Sequence, residues 1–171
     1  MPPGAGPGTA FAGMACSAAF GSHSMTFSLP APPEQTARAD GLPLYIGYGG
    51  MVVRSPDQAH VTRWEYVTEP PHGDSANQVW LDGRRLPGLY WGRGHAWSPD
   101  SAYFTLEQHD YPAYCCPLYV VRVADQRWYK VADHAGPVSL VYPRLRFRAY
   151  GNDTPIEELS FSGGEEWLPI G

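Results

Sequence analysis

The chain is short of lysine, of spaced cysteines, of long apolar runs and of net positive charge, and each shortage excludes something. Lys130 is the single lysine beside eleven arginines, a bias that, with abundant Ala, Gly and Pro, reads as a GC-rich bacterial coding source. The three cysteines are Cys16 and the adjacent pair Cys115 and Cys116, so no spaced disulfide framework exists and a cytoplasmic location is the simpler expectation. No apolar stretch approaches the roughly 18 residues that span a bilayer, so a soluble chain without a membrane partner is expected. Twelve basic against seventeen acidic side chains give a net charge of −5 and a pI near 5.6. A dedicated nucleic-acid binder needs a basic surface for phosphate, so that class is set aside. Helical periodicity is also missing, except that Pro33 to Asp40 suits one or two turns capped by Gly41.

What is present points to β structure. The composition is 43% apolar and 17% charged, with nineteen Gly, eighteen Pro and a large complement of Trp, Tyr and Phe. Such a chain is too apolar for disorder and too rich in turn residues for a helical bundle. Its 171 residues suffice for one core without metal or disulfide staples. Residues 1–40 hold nine Ala, six Pro and five Gly, with no charge before Glu34, and read as a tail outside a single β domain at 41–171. No basic residue precedes an apolar stretch there, so a secretory signal is not expected. Met14-Ala15-Cys16 is a poor lipoprotein site for want of the long apolar run, and Met25 is an alternative start.

From residue 44 onward, period-2 runs of aromatic and β-branched residues alternate with Gly, Pro, Asn and Asp, the pattern of a strand meander. The sequence matches itself at an offset of 43 residues: Ser55-Pro56-Asp57 recurs as Ser98-Pro99-Asp100, Thr62 as Thr105, and Asp82-Gly83-Arg84 as Asp125-Gln126-Arg127. A period near 43 is that of a four-stranded propeller blade. Strands are predicted at Val61 to Tyr66 and Tyr103 to Gln108, then at Gln78 to Leu81 and Leu118 to Val123. Arg84 to Leu86 and Arg127 to Val131 complete the two units.

On these residues, above all Ala96-Trp97-Ser98-Pro99-Asp100-Ser101 through Phe104 and then Leu118 to Val123, the chain resembles the blade repeats of TolB-type and WD40-like β-propellers. The resemblance implies units at about 46–88 and 89–131 and a weaker third at 138–171, with Tyr142-Pro143-Arg144 in the turn position. Two blades and a weak third are too few to close a propeller. The expected fold is therefore all-β, an antiparallel meander of blade-like repeats, open or sandwiched, with about nine to twelve strands. Its core is expected around Trp64, Trp80, Trp97, Phe104, Trp128 and Phe147.

Catalytic and metal signatures are sparse. His95, His109, Asp110, Cys115 and Cys116 form the only metal-like group, but adjacent cysteines on a strand diverge, and no ligand pair has zinc spacing. No metal or cofactor is implied. Gly-x-Ser-x-Gly is absent, and turn geometry explains Ser55 and Ser98. Charge placement says more. Arg144, Arg146 and Arg148 alternate along one strand, while five acids and no base lie between Asp153 and Glu166. Cross-strand pairing with Glu158 and a docking surface for a charged partner are the two readings of that row. Tyr90-Trp91-Gly92-Arg93-Gly94-His95 offers a second contact segment, unless Tyr90 and Trp91 close the core between repeats.

The sequence thus leads to a non-enzymatic protein-binding module, conceivably an immunity or inhibitor protein that neutralises a toxin. Its partner-binding residues are expected at Tyr90, Trp91, Arg93, His95, Arg144, Arg146 and Arg148. The rivals are a small hydrolase or metal-dependent enzyme built on His95, His109, Asp110 and Cys115, and an envelope interaction protein of the TolB type.

Overall fold

The computed structural model describes residues 31–70, 73–110, 116–151 and 153–171. Expectations resting on residues 1–30 and on Cys115 lie outside them. Among the described residues all regular structure is β, in thirteen strands. They are β1 (Glu34–Thr36), β2 (Met51–Arg54), β3 (Val61–Thr68), β4 (Ala76–Leu81), β5 (Arg84–Arg85), β6 (Leu89–Trp91), β7 (Tyr103–His109), β8 (Leu118–Arg122), β9 (Arg127–Ala132), β10 (Ala135–Val141), β11 (Arg144–Ala149), β12 (Ile156–Ser160) and β13 (Leu168–Pro169). No helix among the described residues is long and apolar enough to cross a membrane.

The strands form two open sheets. One runs β1-β2-β3-β4-β6-β7-β8-β9-β13, with β5 added beside β4, and the other is β10-β11-β12. Every pairing is antiparallel except β1 with β2.

The two Ser-Pro-Asp turns are built alike. The Ser55 and Ser98 hydroxyls donate to Asp57 and Asp100 at 2.6 and 2.5 Å, and accept the amides of His60 and Tyr103, both at 3.0 Å. Gln58 and Ser101 share a left-handed backbone, at φ 64° and 62°. The turns also touch, because the Asp57 amide donates to Ser101 Oγ at 3.1 Å. Each turn thus satisfies its own backbone before its strand begins, a local solution that both repeats encode in three residues.

Two expectations change, the helix at Pro33 to Asp40 and the start of the folded part at residue 41. Residues 34–36 form a strand rather than a helix: the Pro33 carbonyl accepts the Val52 amide at 2.8 Å, and the Ala37 amide donates to Arg54 O at 2.7 Å. Pro33 biases Pro32 toward extended backbone, and so short a segment recovers little of the cost of starting a helix. The folded part therefore begins before residue 41. Strand β10 contains Gly136-Pro137, and Pro137 sits at a register shift opposite β11, where a missing amide is tolerated. Tyr90-Trp91 belongs to β6, pairing with both β4 and β7, and both residues are buried, as the core-closing alternative requires.

Side chains pack in two clusters. The larger gathers Trp64, Trp97, Phe104, Tyr90, Leu81 and Leu106 with Leu44 and Ile46; the smaller gathers Leu118, Val120, Leu140, Leu145, Phe147, Phe161 and Trp167. Of the expected core aromatics, Trp80 and Trp128 are only half-buried, and the Arg63 guanidinium covers the Trp80 ring at 4.3 Å.

A strap of chain between β1 and β2 stitches these parts together. Gly41 O accepts the Leu140 amide at 2.8 Å, the Leu44 amide donates to His95 O at 2.8 Å, and the Ile46 amide donates to Gly92 O at 2.7 Å. Gly41 is no helix cap. Its φ of 74° and a Cβ position only 2.2 Å from Leu140 O make glycine the residue for this close approach.

Candidate functional site

Burial divides the seven expected contact residues. Tyr90 and His95 are fully buried and Trp91 is 9% exposed, so these three cannot form an outer contact surface. The reason is parity and pairing. Tyr90 is flanked by strands on both sides and lies within the larger core, its hydroxyl donating to Pro87 O at 2.6 Å.

His95 is the polar centre of that core. Trp97 Nε1 donates to His95 Nε2 at 2.9 Å, and Thr62 Oγ1 lies 3.0 Å from the same nitrogen. Thr105 O lies 3.1 Å from Nδ1. These partners assign the proton to Nδ1 and leave Nε2 an acceptor. Burial pushes the His95 pKa down to about 4, against a smaller opposing pull from the Thr105 carbonyl. Both ring nitrogens are thus engaged in structure, so the enzyme reading loses His95 as a base or ligand.

Arg93 organises the outward-facing part. Its Nη2 donates to Glu107 Oε1 at 2.8 Å, its Nε lies 3.2 Å from both Glu107 oxygens, and its Nη1 donates to Asp74 Oδ2 at 2.8 Å. The guanidinium also lies 4.8 Å from the Trp91 ring and 4.5 Å from that of Tyr150. Tyr150 donates its hydroxyl to Glu107, and Tyr45 donates to Asp74 Oδ1 at 3.2 Å. Glu107 is fully buried, while Arg93 keeps 31% of its side chain exposed. Burial raises the Glu107 pKa, and its bonds to Arg93 and Tyr150 only partly offset this. Desolvation opposes the Arg93 charge, yet the Glu107 bonds outweigh it and hold the guanidinium protonated. The Tyr150 hydroxyl is pushed up by burial first and by the Glu107 charge second.

Around this hub four tyrosines reach solvent: Tyr45, Tyr48, Tyr66 and Tyr150, exposed by 55%, 58%, 42% and 44%. Tyr48 and Tyr66 rings lie 6.4 Å apart, and Tyr48 donates to Gly73 O at 3.1 Å, next to Asp74. Beside Tyr150 a cleft of about 450 Å³ is lined by Pro43, Arg93, Pro137, Arg148 and Tyr150, among others.

The arginine row is exposed as expected, with Leu145 and Phe147 turned inward between its members. Cross-strand pairing fails, however. Arg146 stands opposite Glu158 in register, yet neither Arg144, Arg146 nor Arg148 makes an ion pair among the described residues.

Sequence reasoning missed Asp74, Glu107, Tyr150 and the exposed tyrosines. A carboxylate inside the aromatic strand Tyr103-Phe104-Thr105-Leu106-Glu107 was the available signal, since a buried acid demands a cation. What hid it is that its partner Arg93 lies fourteen residues away, across a turn. Among the described residues no group of three or more His, Cys, Asp or Glu converges to hold a metal. The ring of His109 packs on Trp91 at 4.5 Å, and Cys115 lies outside the described residues. Comparison of the chain with family models, with curated proteins and with solved structures found no match to any of them.

Proposed function

We propose that this chain is a non-enzymatic protein-binding module. The observation that carries the reading is the arc of exposed Tyr45, Tyr48, Tyr66 and Tyr150 beside Arg93, in which Tyr45 bonds Asp74, Tyr150 bonds Glu107, Tyr48 bonds Gly73 O and the Tyr66 ring lies against that of Tyr48. Tyrosine and arginine are the side chains that concentrate binding energy at interfaces, and rigid aromatic rings lose little entropy on contact. The Tyr45, Tyr48 and Tyr150 hydroxyls are already tethered, so part of the ordering cost of association is met before a partner arrives. An immunity or inhibitor protein acting on a toxin is one form such a module takes, supported by the small size and acidic balance of the chain. The equal construction of the two Ser-Pro-Asp turns supports the blade-repeat resemblance as its architectural origin.

Affinity capture from the source organism tests this, with wild-type chain and the triple variant Tyr45→Ala, Tyr48→Ala, Tyr66→Ala as parallel baits. A partner retained by the wild type and lost from the equally folded variant supports the arc. Equal retention by both baits, or none by either, overturns it.

A further inference from the structure

We infer that the outer face of the β10-β11-β12 sheet binds an extended acidic segment of a partner protein, with carboxylates at alternate positions. This rests on the protein-binding reading and adds the partner's chemistry. Arg144, Arg146 and Arg148 point from one face of β11, and none is neutralised by a neighbour among the described residues. A chain of net charge −5 has carboxylates enough to pair all three, yet it leaves the row open to solvent.

Spacing selects the ligand. Alternate side chains on a strand repeat at about 6.8 Å, and an extended peptide laid along β11 carries its own alternate side chains at the same interval. Each acid can then meet one guanidinium in the bidentate fork that arginine offers and lysine does not. The surroundings fit a peptide better than a nucleic acid. Val141 stands beside Arg144 and Ile156 beside Arg148, exposed by 41% and 39%, so the row ends in apolar contacts. Ser139, Glu158 and Ser160 complete the face. Tyr150 meets Arg148 at one end of the row, and a single ring there is too few for successive bases to stack along it. A depression of about 420 Å³ lined by Ser139, Val141, Arg144, Arg146 and Glu158 gives one acidic side chain and its neighbour a seat.

Fluorescence anisotropy with the labelled peptide Leu-Glu-Thr-Glu-Thr-Glu-Leu tests the inference on the full chain. Saturable binding is expected, weakened at least tenfold by combined Arg144→Gln, Arg146→Gln and Arg148→Gln, and weakened severalfold by Arg146→Glu alone should the triple variant fold poorly. A peptide of the same composition with its three Glu contiguous should bind several times more weakly. The tyrosine triple variant should bind the peptide like wild type, which separates failure of this inference from failure of the tyrosine arc. Absence of binding, equal affinity for the two peptides, or no loss in either arginine variant would overturn it. Tighter binding of a seven-nucleotide oligothymidylate would overturn it in favour of a phosphate ligand.

Discussion

His95 makes the stability of the core depend on pH in a definite direction. In the folded chain burial holds its pKa near 4, below the ordinary value of 6.5. Above pH 6.5 both folded and unfolded states carry a neutral ring, and the stability is fully present. Between pH 6.5 and 4 only the unfolded state takes the proton, so stability falls by at most about 1.4 kcal/mol per pH unit, and below pH 4 this loss ends. Urea midpoints measured across that range should therefore decline, and His95→Gln, less stable at pH 7, should decline less. Glu107 sets a different dependence, on charge pairing. Replacing it with Gln leaves Arg93 half-sheltered with Asp74 alone, and a loss of about 2–4 kcal/mol is expected in denaturant unfolding. Tyr150→Phe removes one hydrogen bond to the same carboxylate and should cost about 1–2 kcal/mol.

At the scale of elements, local chemistry was legible and distant pairing was not. Ser-Pro-Asp writes its turn in adjacent residues, and Asp82-Gly83 does the same for the β4-β5 hairpin, where both residues take positive φ. Such signals are read without knowing the rest of the chain. Strand β1 is held by bonds to β2 about eighteen residues on, and the Arg93 site by carboxylates from β7 and from the approach to β4, none of which has a local mark. Burial likewise escaped detection at His95, which has the composition of a contact site, while Tyr90 carried both readings, contact and core, and the pairing of β6 on two edges decides for the core. Two outcomes follow. Relative to deletion of residues 1–30, deletion of residues 1–40 also removes β1 and the buried Ala37 and should lower the melting temperature by several degrees. Ser55→Ala and Ser98→Ala should each cost about 1–2 kcal/mol, and by similar amounts, since each hydroxyl closes the same pair of bonds. Markedly unequal losses would mean that the two turns are not equivalent in energy.

For the molecule as a whole, the distribution of charge and aromatic surface matters more than any single pocket. The tyrosine arc and the arginine row are joined at the cleft where Tyr150 and Arg148 meet, so a partner of the proposed kind would touch both. Salt would then weaken the arginine contribution and leave the aromatic one. The all-β, open-sheet architecture was legible from composition and periodicity, because those properties average over many residues. The strap from Gly41 to Ile46 was not, since its bonds reach Leu140, His95 and Gly92 in turn. That strap bears on the order in which the structure comes apart. An amide is released to solvent only when everything that shields it opens. The Leu44 and Ile46 amides and the Leu140 amide lie in two distant parts of the chain but answer to one seam. In a hydrogen-exchange experiment they should be released together, at the slowest rates in the protein, while edge amides in β1 and β13 are released long before. Gly41→Ala, which forces the seam apart at Leu140, should accelerate the whole group at once.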